Sequence, residues 1–357
     1  MFVEENHSPH LFLVSTPLHL LVSLAIVDHL HIANAHLLFI DQVMGVNNPY
    51  YDTLQQWSDN PFCSMAVFYR PKKSAFTKLK ARKTTFSALT SVVEKLQPKH
   101  IYVGNDRRIE FQFCMHKATE LGCAPIGYYL DEGVFTYVGR AASHSFADKT
   151  LDNAAKKLFY GMWWRHPPTV GASTWISVVY ASYPALIHPL LKSKEVRELS
   201  LAFWQTEGLL AFCRQLVDKL AGGLDFSTID AVVTLPHESI LLADSRYKMR
   251  IQQLLQQQLD AGKTVAVKYH PRDSVPDALS VALLENVVLI PRTLPFEALL
   301  PMLKTGCRVL GNFSTTLITA RLLRPDVVAQ ALSYGEDKHD EPLLAVYEKL
   351  GVEIVCV

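Results

Sequence analysis

The sequence predicts an α/β protein built from two Rossmann-like, doubly wound domains with a cleft between them. Short apolar runs, typical of buried strands, alternate with helix-forming segments in two separate parts of the chain. A tryptophan-rich stretch at residues 149–224 separates the two parts. The 357 residues, of which 49% are hydrophobic, are sufficient for two cores of ordinary size.

The first series of elements defines an N-terminal domain, which we assign to residues 1–195. Thr16 and Pro17 are typical of a helix start, because threonine caps free N–H groups and proline fits the first helical position. The predicted strands are 11–15, 35–41, 65–69, 100–104 and 126–130, and the predicted helices are 18–30, 75–96 and 107–121.

The second series defines a C-terminal domain, which we assign to residues 196–357. The predicted strands are 231–235, 264–269, 287–290, 308–311, 327–331 and 352–357, and the predicted helices are 246–258, 273–284, 296–303, 315–323 and 342–350. We expect the stretch between the two series to be mostly helical, with an irregular part at 166–168.

Composition excludes several classes of protein. A formal net charge of +1 gives no global signature of nucleic-acid binding. The six cysteines include no C-x-x-C pair, so we expect neither a disulfide framework nor a zinc site. Asp28-His29-Leu30-His31 lacks the flanking ligands of a metal site. The polar residues 1–10 and the absence of a long apolar run predict a protein of the cytoplasm, without a membrane span.

Three strand-to-helix junctions of the C-terminal domain carry residues that fit a nucleotide. His270-Pro271 ends a strand at the sheet edge where ligands bind in such folds. Glu297 lies in the first turn of a helix, where a carboxylate can accept bonds from ribose hydroxyls. Asn312, Ser314 and Thr315 lead into another helix, whose N–H groups favour phosphate. Taken singly, these residues also fit a turn, a helix-dipole charge and a helix cap.

The N-terminal domain offers an acidic group at a strand end. Asp131 follows the strand at 126–130, could accept a proton from a hydroxyl, and precedes Gly133, which allows a tight turn. Strand alternation aims Glu132 the other way. Asn105 and Thr16 end two further strands and are candidates for substrate contact. A solvated turn at 131–133 is the alternative interpretation.

These motifs resemble those of bacterial sialyltransferases of the GT-B type, namely glycosyltransferase family 52 and the capsular polysialyltransferase-like group. The shared features are an acidic pair followed by glycine, a His-Pro, and a pair of hydroxyl residues, in that order. Here they are Asp131-Glu132-Gly133, His270-Pro271 and Ser314-Thr315. The segment 15–21 is similar to a Thr-Pro-Leu-Gln stretch of family 52, with His19 in place of glutamine.

The resemblance implies an inverting, metal-independent transferase without a cofactor, which uses a CMP-activated nonulosonic acid, most simply CMP-sialic acid. Asp131 would be the general base and His270 would stabilise or protonate the departing phosphate. Ser314 and Thr315 would hold that phosphate, with Pro271 and Asn312 nearby, and Glu297 would hold the cytidine ribose. The acceptor would be a surface glycan, in lipooligosaccharide or capsule, and Thr16, Asn105, Glu132 and Gly133 would contact substrate.

Two alternatives stay open at this point. The donor could instead be CMP-pseudaminate, CMP-legionaminate or CMP-Kdo, or the chain could be a non-catalytic nucleotide-binding protein of this fold. Six cations within residues 72–83, and the aromatic and basic run 156–165, suggest either ordinary surface and core or a peripheral contact with a membrane that carries a lipid-linked acceptor. The acidic loop 336–341 is expected to be solvated.

Overall fold

The computed structural model describes residues 7–70, 75–140, 156–157, 160–241, 245–333 and 341–356. The chain divides into two compact units, Met1–Leu209 and Leu210–Val357. The predicted domain boundary lies after residue 195, where a strand of the first unit begins. Part of the basic segment 72–83 and most of the acidic loop 336–341 lie outside the described residues.

The first unit contains a parallel sheet of seven described strands in the order β3-β2-β1-β4-β5-β6-β7. Its strands are β1 (His10–Val14), β2 (Ala35–Gln42), β3 (Phe62–Tyr69), β4 (His100–Val103), β5 (Ile126–Tyr129), β6 (Val178–Ala181) and β7 (Glu195–Glu198). Its helices are α1 (Pro17–His29), α2 (Pro49–Gln56), α3 (Ala75–Leu96), α4 (Ile109–Glu120), α5 (Val134–Tyr137) and α6 (Leu201–Trp204), with short 3₁₀ turns at Pro184–Leu186 and Pro189–Leu191. β1 is buried along its whole length, as expected for a strand covered on both faces.

The second unit contains a parallel sheet of six described strands in the order β10-β9-β8-β11-β12-β13. Its strands are β8 (Ala231–Thr234), β9 (Val265–Lys268), β10 (Val287–Ile290), β11 (Arg308–Gly311), β12 (Val328–Ser333) and β13 (Glu353–Cys356). The helices that follow the boundary region are α7 (Glu207–Ala221), α8 (Glu238–Leu241), α9 (Ser245–Asp260), α10 (Phe296–Leu299), α11 (Thr315–Leu323) and α12 (Glu341–Leu350). Further 3₁₀ turns lie at Phe226–Thr228, Val281–Leu283 and Leu300–Met302.

The two doubly wound domains predicted from the sequence are confirmed, but two local predictions are wrong. Within its described residues the middle stretch is not mostly helical, because the apolar segment Val178–Ala181 and the segment Glu195–Glu198 extend the first sheet. The segment 273–284 forms turns and one 3₁₀ turn rather than a helix, since Pro276 interrupts it and Ser280 adopts a left-handed backbone with φ of 56°.

The aromatic and basic segment near residue 160 is packed into the first unit. Trp164 is only 3% exposed, and the Trp163 ring stacks on His116 with centroids 5.5 Å apart. Arg82, one of the predicted surface cations, forms an ion pair with Glu110. Among the described residues, no helix has the length and apolar character needed to cross a bilayer.

The Asp28-His29 motif has a structural role in the first unit. The Asp28 carboxylate accepts hydrogen bonds from the backbone N–H groups of Gly208 at 2.9 Å and Leu209 at 3.3 Å. It therefore satisfies free donors at the start of α7 and favours its dipole. The His29 ring packs on Phe203 with centroids 3.9 Å apart.

Candidate functional site

In the first unit, the predicted substrate residues follow three neighbouring strands. β1, β4 and β5 are adjacent and parallel, so their carboxyl ends lie at one edge of the sheet. Thr16 follows β1, Asn105 follows β4, and the acidic pair follows β5. The structure therefore brings these predicted residues to the same edge, as the sequence analysis expects.

Asp131 is almost completely enclosed by hydrogen-bond donors. Its side chain is 5% exposed. The Tyr137 hydroxyl donates to Oδ2 at 2.5 Å, and Ser182 donates to the same oxygen through its hydroxyl at 2.8 Å and its backbone N–H at 2.9 Å. The Gly133 N–H donates to Oδ1 at 2.9 Å. These four bonds tie β5, α5 and the end of β6 together.

Glu132 has the opposite environment. Its Oε2 is buried and has no hydrogen-bond partner within the described residues. Burial raises the pKa of Glu132 to about 7, against the opposing effects of the Arg108 cation and of a hydrogen bond from Asn105. Strand alternation did not predict this buried oxygen, because β5 ends at Tyr129 and position 132 lies beyond the strand.

Cations flank this carboxyl group. The Arg108 guanidinium forms an ion pair with Asp41, with 2.7 Å between Nη1 and Oδ2. Arg108 and Arg140 both act electrostatically to lower the pKa of Glu132. Asn105 accepts from the Arg107 backbone N–H at 3.1 Å through Oδ1, which leaves its amide N–H₂ to donate to Glu132.

The ends of β1 and β4 approach each other closely. A methyl group on Gly104 would lie 2.1 Å from Nε2 of His19, so glycine is required for the buried imidazole to fit. Burial, followed by the charge of Arg108, lowers the pKa of His19 to about 3, so this ring is neutral near pH 7. The Thr16 hydroxyl caps α1 by accepting from the His19 N–H at 3.3 Å, which is the structural interpretation of that motif.

In the second unit, β9, β8 and β11 are adjacent, so the segments that follow them share one edge. His270 follows β9 and is half-buried; burial is the main cause that lowers its pKa. Its backbone N–H donates to Asp273 at 3.1 Å, and its Nδ1 accepts from the Arg272 N–H at 3.2 Å. The Pro271 that follows it is exposed.

Ser314 is the N-cap residue of α11, but its hydroxyl does not cap the helix. Its Oγ is buried and lacks a partner among the described residues. Tyr347 holds the backbone at this point: its hydroxyl accepts from the Ser314 N–H at 2.6 Å and donates to the Ser314 carbonyl at 2.8 Å. Asn312 is half-buried just before, and Thr315 begins the helix. A hydroxyl and helix N–H groups together can bind a phosphate.

Glu297 occupies the first turn of α10, as predicted, but it has a cationic partner that the sequence analysis missed. Burial raises the pKa of Glu297, and the nearby Lys268 opposes that shift. Burial lowers the pKa of Lys268 to about 8. Lys268 is the last residue of β9, and β9 pairs with β10 immediately before α10. The pairing register of β9 and β10 brings Lys268 near Glu297, and this register cannot be read from the sequence.

His237 is a second residue that the sequence analysis missed. It follows β8, and its ring centroid lies 5.2 Å from that of His270. A single histidine after Leu235-Pro236 carries no recognisable motif. The only available signal is its place after a strand that proves to be the neighbour of β9.

Comparison with known families shows to which family this chain belongs. Residues 10–333 match the family described as alpha-2,8-polysialyltransferase, and the chain belongs to that family. The match contains the acidic pair, the His-Pro and the hydroxyl pair, and it confirms the resemblance that these motifs indicated. The chain is thus a glycosyltransferase of the sialyltransferase type. No curated protein sequence matches it.

Solved structures confirm the GT-B type of fold. The 2,6-sialyltransferase of Photobacterium sp. JT-ISH-224 has a TM-score of 0.57 at 13% identity, over 98% of this chain and 78% of that chain. The GT-B domain of the Photobacterium damselae sialyltransferase has 0.56 at 12%, over 98% and 99%. A UDP-GlcNAc 2-epimerase from Methanocaldococcus jannaschii has 0.58 at 12%, over 98% and 88%. At such identities these likenesses concern the fold alone.

Proposed function

We propose that this protein transfers a sialic-acid-type sugar from a CMP-activated donor to a surface glycan, in lipooligosaccharide or capsule. Membership of the alpha-2,8-polysialyltransferase family carries this proposal, and the matched range 10–333 spans the residues to which we give a chemical role. The Photobacterium sp. 2,6-sialyltransferase, which shares the fold, is described in a complex with the donor product CMP and with lactose. A CMP-sugar is therefore the first donor to test.

The reaction is a substitution at the anomeric carbon of the sugar. The acceptor hydroxyl oxygen forms a bond to that carbon, and the bond from the carbon to the phosphate oxygen breaks with its electron pair leaving on CMP. The hydroxyl proton moves to a carboxylate of the protein. Attack opposite the departing phosphate inverts the anomeric configuration. Positioned N–H and O–H donors stabilise the charge that grows on the phosphate, so the proposal needs no metal ion or cofactor.

The first unit supplies the proton acceptor. Glu132 has a buried oxygen without a partner among the described residues, and a pKa near 7 suits a general base at neutral pH. Asp131 already accepts four hydrogen bonds, which makes it a positioning residue for the turn. We therefore transfer the role of base, which the sequence analysis gave to Asp131, to its neighbour, and the two assignments are separable by mutation.

The second unit binds the nucleotide. The phosphate is received by the first N–H groups of α11 and by the Ser314 hydroxyl, which has no partner in the described part of the chain, with Thr315 and Asn312 beside them. His270 donates a hydrogen bond to the departing phosphate. Glu297, whose negative charge the nearby Lys268 favours, accepts from the cytidine ribose.

The acceptor and its location complete the proposal. The family description names an α-2,8 linkage, so a glycan that ends in sialic acid is the first acceptor to test. A lipid-linked acceptor would place the protein in the cytoplasm, at the inner face of the membrane, through a peripheral contact. Flotation with anionic vesicles measures that contact. If the same fraction of the protein floats with neutral vesicles as with anionic ones, the electrostatic contact is contradicted.

The test of the donor is a panel of CMP-sugars, namely CMP-sialate, CMP-pseudaminate, CMP-legionaminate and CMP-Kdo, with release of CMP and mass of the acceptor as readouts. We expect acceptor-dependent CMP release with CMP-sialate, unchanged in EDTA. Release with another member of the panel would change the donor but keep the chemistry. Tight binding of CMP without turnover of any donor would favour the non-catalytic alternative.

A further inference from the structure

Two imidazoles from neighbouring strand ends face each other in the second unit. His237 follows β8 and His270 follows β9, and these strands pair in parallel. The ring centroids are 5.2 Å apart with the ring planes at 72° to each other. Both side chains are half-buried, so each can meet a ligand.

Reciprocal hydrogen bonds hold the two loops in this arrangement. The Asp273 carboxylate accepts from the Glu238 N–H at 2.8 Å and from the His270 N–H at 3.1 Å. In return, Glu238 accepts from the Ser274 N–H and hydroxyl, both at 2.7 Å, and from the Val275 N–H at 3.1 Å. Each loop thus fixes the other, and the positions of the two rings relative to each other are set by the fold.

The hydrogen bonds also fix the tautomer of each ring. A backbone N–H can donate only to a nitrogen that has a free lone pair. The Arg272 N–H donates to Nδ1 of His270 at 3.2 Å, and the Ser239 N–H donates to Nδ1 of His237 at 3.1 Å. Both neutral rings therefore carry their proton on Nε2, and both present an N–H donor.

This arrangement suits an anion better than a cation. His237, His270 and Asp273 have ligand atoms within 4.8 Å of one another, which is close enough to suggest a metal site. However, a metal would take either the lone pair of Nε2, which moves the proton to Nδ1, or the lone pair of Nδ1 itself, and either choice breaks the backbone hydrogen bond to that ring. The Asp273 oxygens are already occupied by backbone N–H groups. Two N–H donors instead match the oxygens of one phosphate.

We propose that His237 is a second phosphate-binding residue, which acts together with His270 to hold the phosphate of the nucleotide through paired Nε2–H donors. The proposal rests on the proposed function, since it concerns the CMP half of the same donor. It adds a residue from β8 to a site that the motifs place only after β9, β10 and β11. Of the charges that act on His270, the Asp273 carboxylate is negative, while Arg272 and Lys268 are positive and favour an anion.

Substitutions can remove the donor without disturbing the loop. Asparagine places its oxygen near the position of Nδ1, so His237→Asn keeps the bond from Ser239 and loses only the Nε2 donor. Glutamine reaches further, so His237→Gln restores an amide N–H near that position. His31→Asn is the matched control, because His31 is exposed and its φ of 51° is one that asparagine tolerates.

The experiment measures the dissociation constants of CMP and cytidine by calorimetry, on the full chain. We expect His237→Asn to weaken CMP binding about tenfold, as for one lost hydrogen bond to a charged group, and to leave cytidine binding unchanged. His237→Gln should recover most of the loss, and His31→Asn should match the wild type. Unchanged CMP affinity in His237→Asn, or an equal loss for cytidine, would overturn the proposal.

Nitrogen NMR of the histidine rings separates this proposal from the proposed function. We expect CMP and inorganic phosphate to shift the Nε2 signals of both His237 and His270. If both rings respond but no CMP-sugar is turned over, the phosphate site stands and the transferase function fails. If a CMP-sugar is turned over while His237 does not respond, the function stands and this proposal fails. A response to Zn²⁺ with protonation of Nδ1, or no response to phosphate, would also overturn it.

Discussion

Asp131 and Glu132 are neighbours in the chain, yet their surroundings assign them different chemistry. Asp131 receives its hydrogen bonds from Tyr137 and Ser182, of which the second lies far along the sequence. Glu132 keeps one buried oxygen without a partner inside the described ranges. A carboxylate that is fully hydrogen-bonded stabilises a fold, whereas one that is buried and unsatisfied is available to take a proton.

At the residue scale we first predict the cost of changing Asp131. Asp131→Asn replaces an acceptor oxygen with an N–H₂ group that faces existing donors, so the free energy of unfolding should fall by about 2–4 kcal/mol. Denaturant unfolding followed by circular dichroism measures it. The Glu132→Gln variant is the control, and the denaturant concentration at its unfolding midpoint should be at least as high as that of the wild type. Equal stability of Asp131→Asn and wild type would contradict the anchoring role.

The pH dependence of transfer should follow Glu132. Because its folded pKa of about 7 lies above the ordinary value of 4.5, the base is protonated in mild acid, and the rate should rise as pH increases through about 7. Initial rates between pH 5 and 8 measure this, and the rising limb should be absent from any residual activity of Glu132→Gln. A limb that persists in that variant would show that another group titrates.

Stability should move in the opposite direction over the same range. Between the unfolded pKa near 4.5 and the folded pKa near 7, the folded state binds more protons at Glu132 than the unfolded state. The free energy of unfolding contributed by this group therefore falls as pH rises through that window and levels off above it. Burial raises the pKa of Asp106 to about 6, so the contribution of Glu132 is the difference between wild type and Glu132→Gln. If the difference in free energy of unfolding between wild type and Glu132→Gln does not change with pH, the raised pKa of Glu132 is contradicted.

At the scale of elements, the junctions after the strands are tightly packed as well as polar. Gly104 after β4 lies against the His19 ring of α1, where even a methyl group does not fit. Gly311, the last residue of β11, is equally close to the hydroxyl of Thr234 on β8, at 2.2 Å from an added Cβ. The first approach fixes α1 against the end of β4, and the second fixes β11 against β8, both at sheet edges that carry candidate site residues.

We predict that Gly104→Ala destabilises the first unit by roughly 1–3 kcal/mol, because the buried imidazole cannot move away without repacking. Thermal unfolding measures the loss. The double variant with His19→Ala tests the cause, since alanine at position 19 removes the ring that clashes. If Gly104→Ala costs as much in that background as in the wild type, the clash is not the reason.

The start of α11 is positioned by a residue of α12. The Tyr347 hydroxyl makes two hydrogen bonds to the backbone of Ser314. We predict that Tyr347→Phe weakens CMP binding by about 1–2 kcal/mol, since the N–H and C=O of Ser314 lose their partner and the phosphate-binding turn loosens. Calorimetry measures the affinity. Ser314→Ala is the comparison, and an affinity unchanged in both variants would remove this turn from the nucleotide site.

At the scale of the whole molecule, the periodicity of the sequence was sufficient to predict two doubly wound sheets. Apolar runs such as Val265–Lys268 are short, rich in β-branched residues and followed by turn residues, so both their type and their place were predictable. β6 and β7 were not predicted, because Val178–Ala181 lies in a stretch rich in helix formers and Glu195–Glu198 is a charged edge strand without an apolar pattern. The helix predicted at 273–284 failed because Asp273 and Asp277 bond to loop backbone instead.

The sequence predicted those residues of the candidate site that directly follow a recognisable strand. Asp131, His270 and Ser314 each follow a strand, so their positions came from local pattern. Strand order does not follow from local pattern: β8 lies between β9 and β11, and this alone brings His237 to His270. The sequence alone could not decide whether Asp131 or Glu132 is the base, because the Ser182 hydrogen bonds that occupy Asp131 come from a residue remote in sequence.

Transfer of a sialic-acid-type sugar from CMP to a glycan can be followed at the reacting carbon itself. CMP-sialic acid labelled with ¹³C at the anomeric carbon is incubated with a sialylated glycan and followed by NMR. We expect the labelled signal to move from the phosphate ester to a glycosidic bond of inverted configuration, and we expect Glu132→Gln to abolish the change. A wild-type spectrum that stays unchanged, or that shows only free sugar, would contradict it.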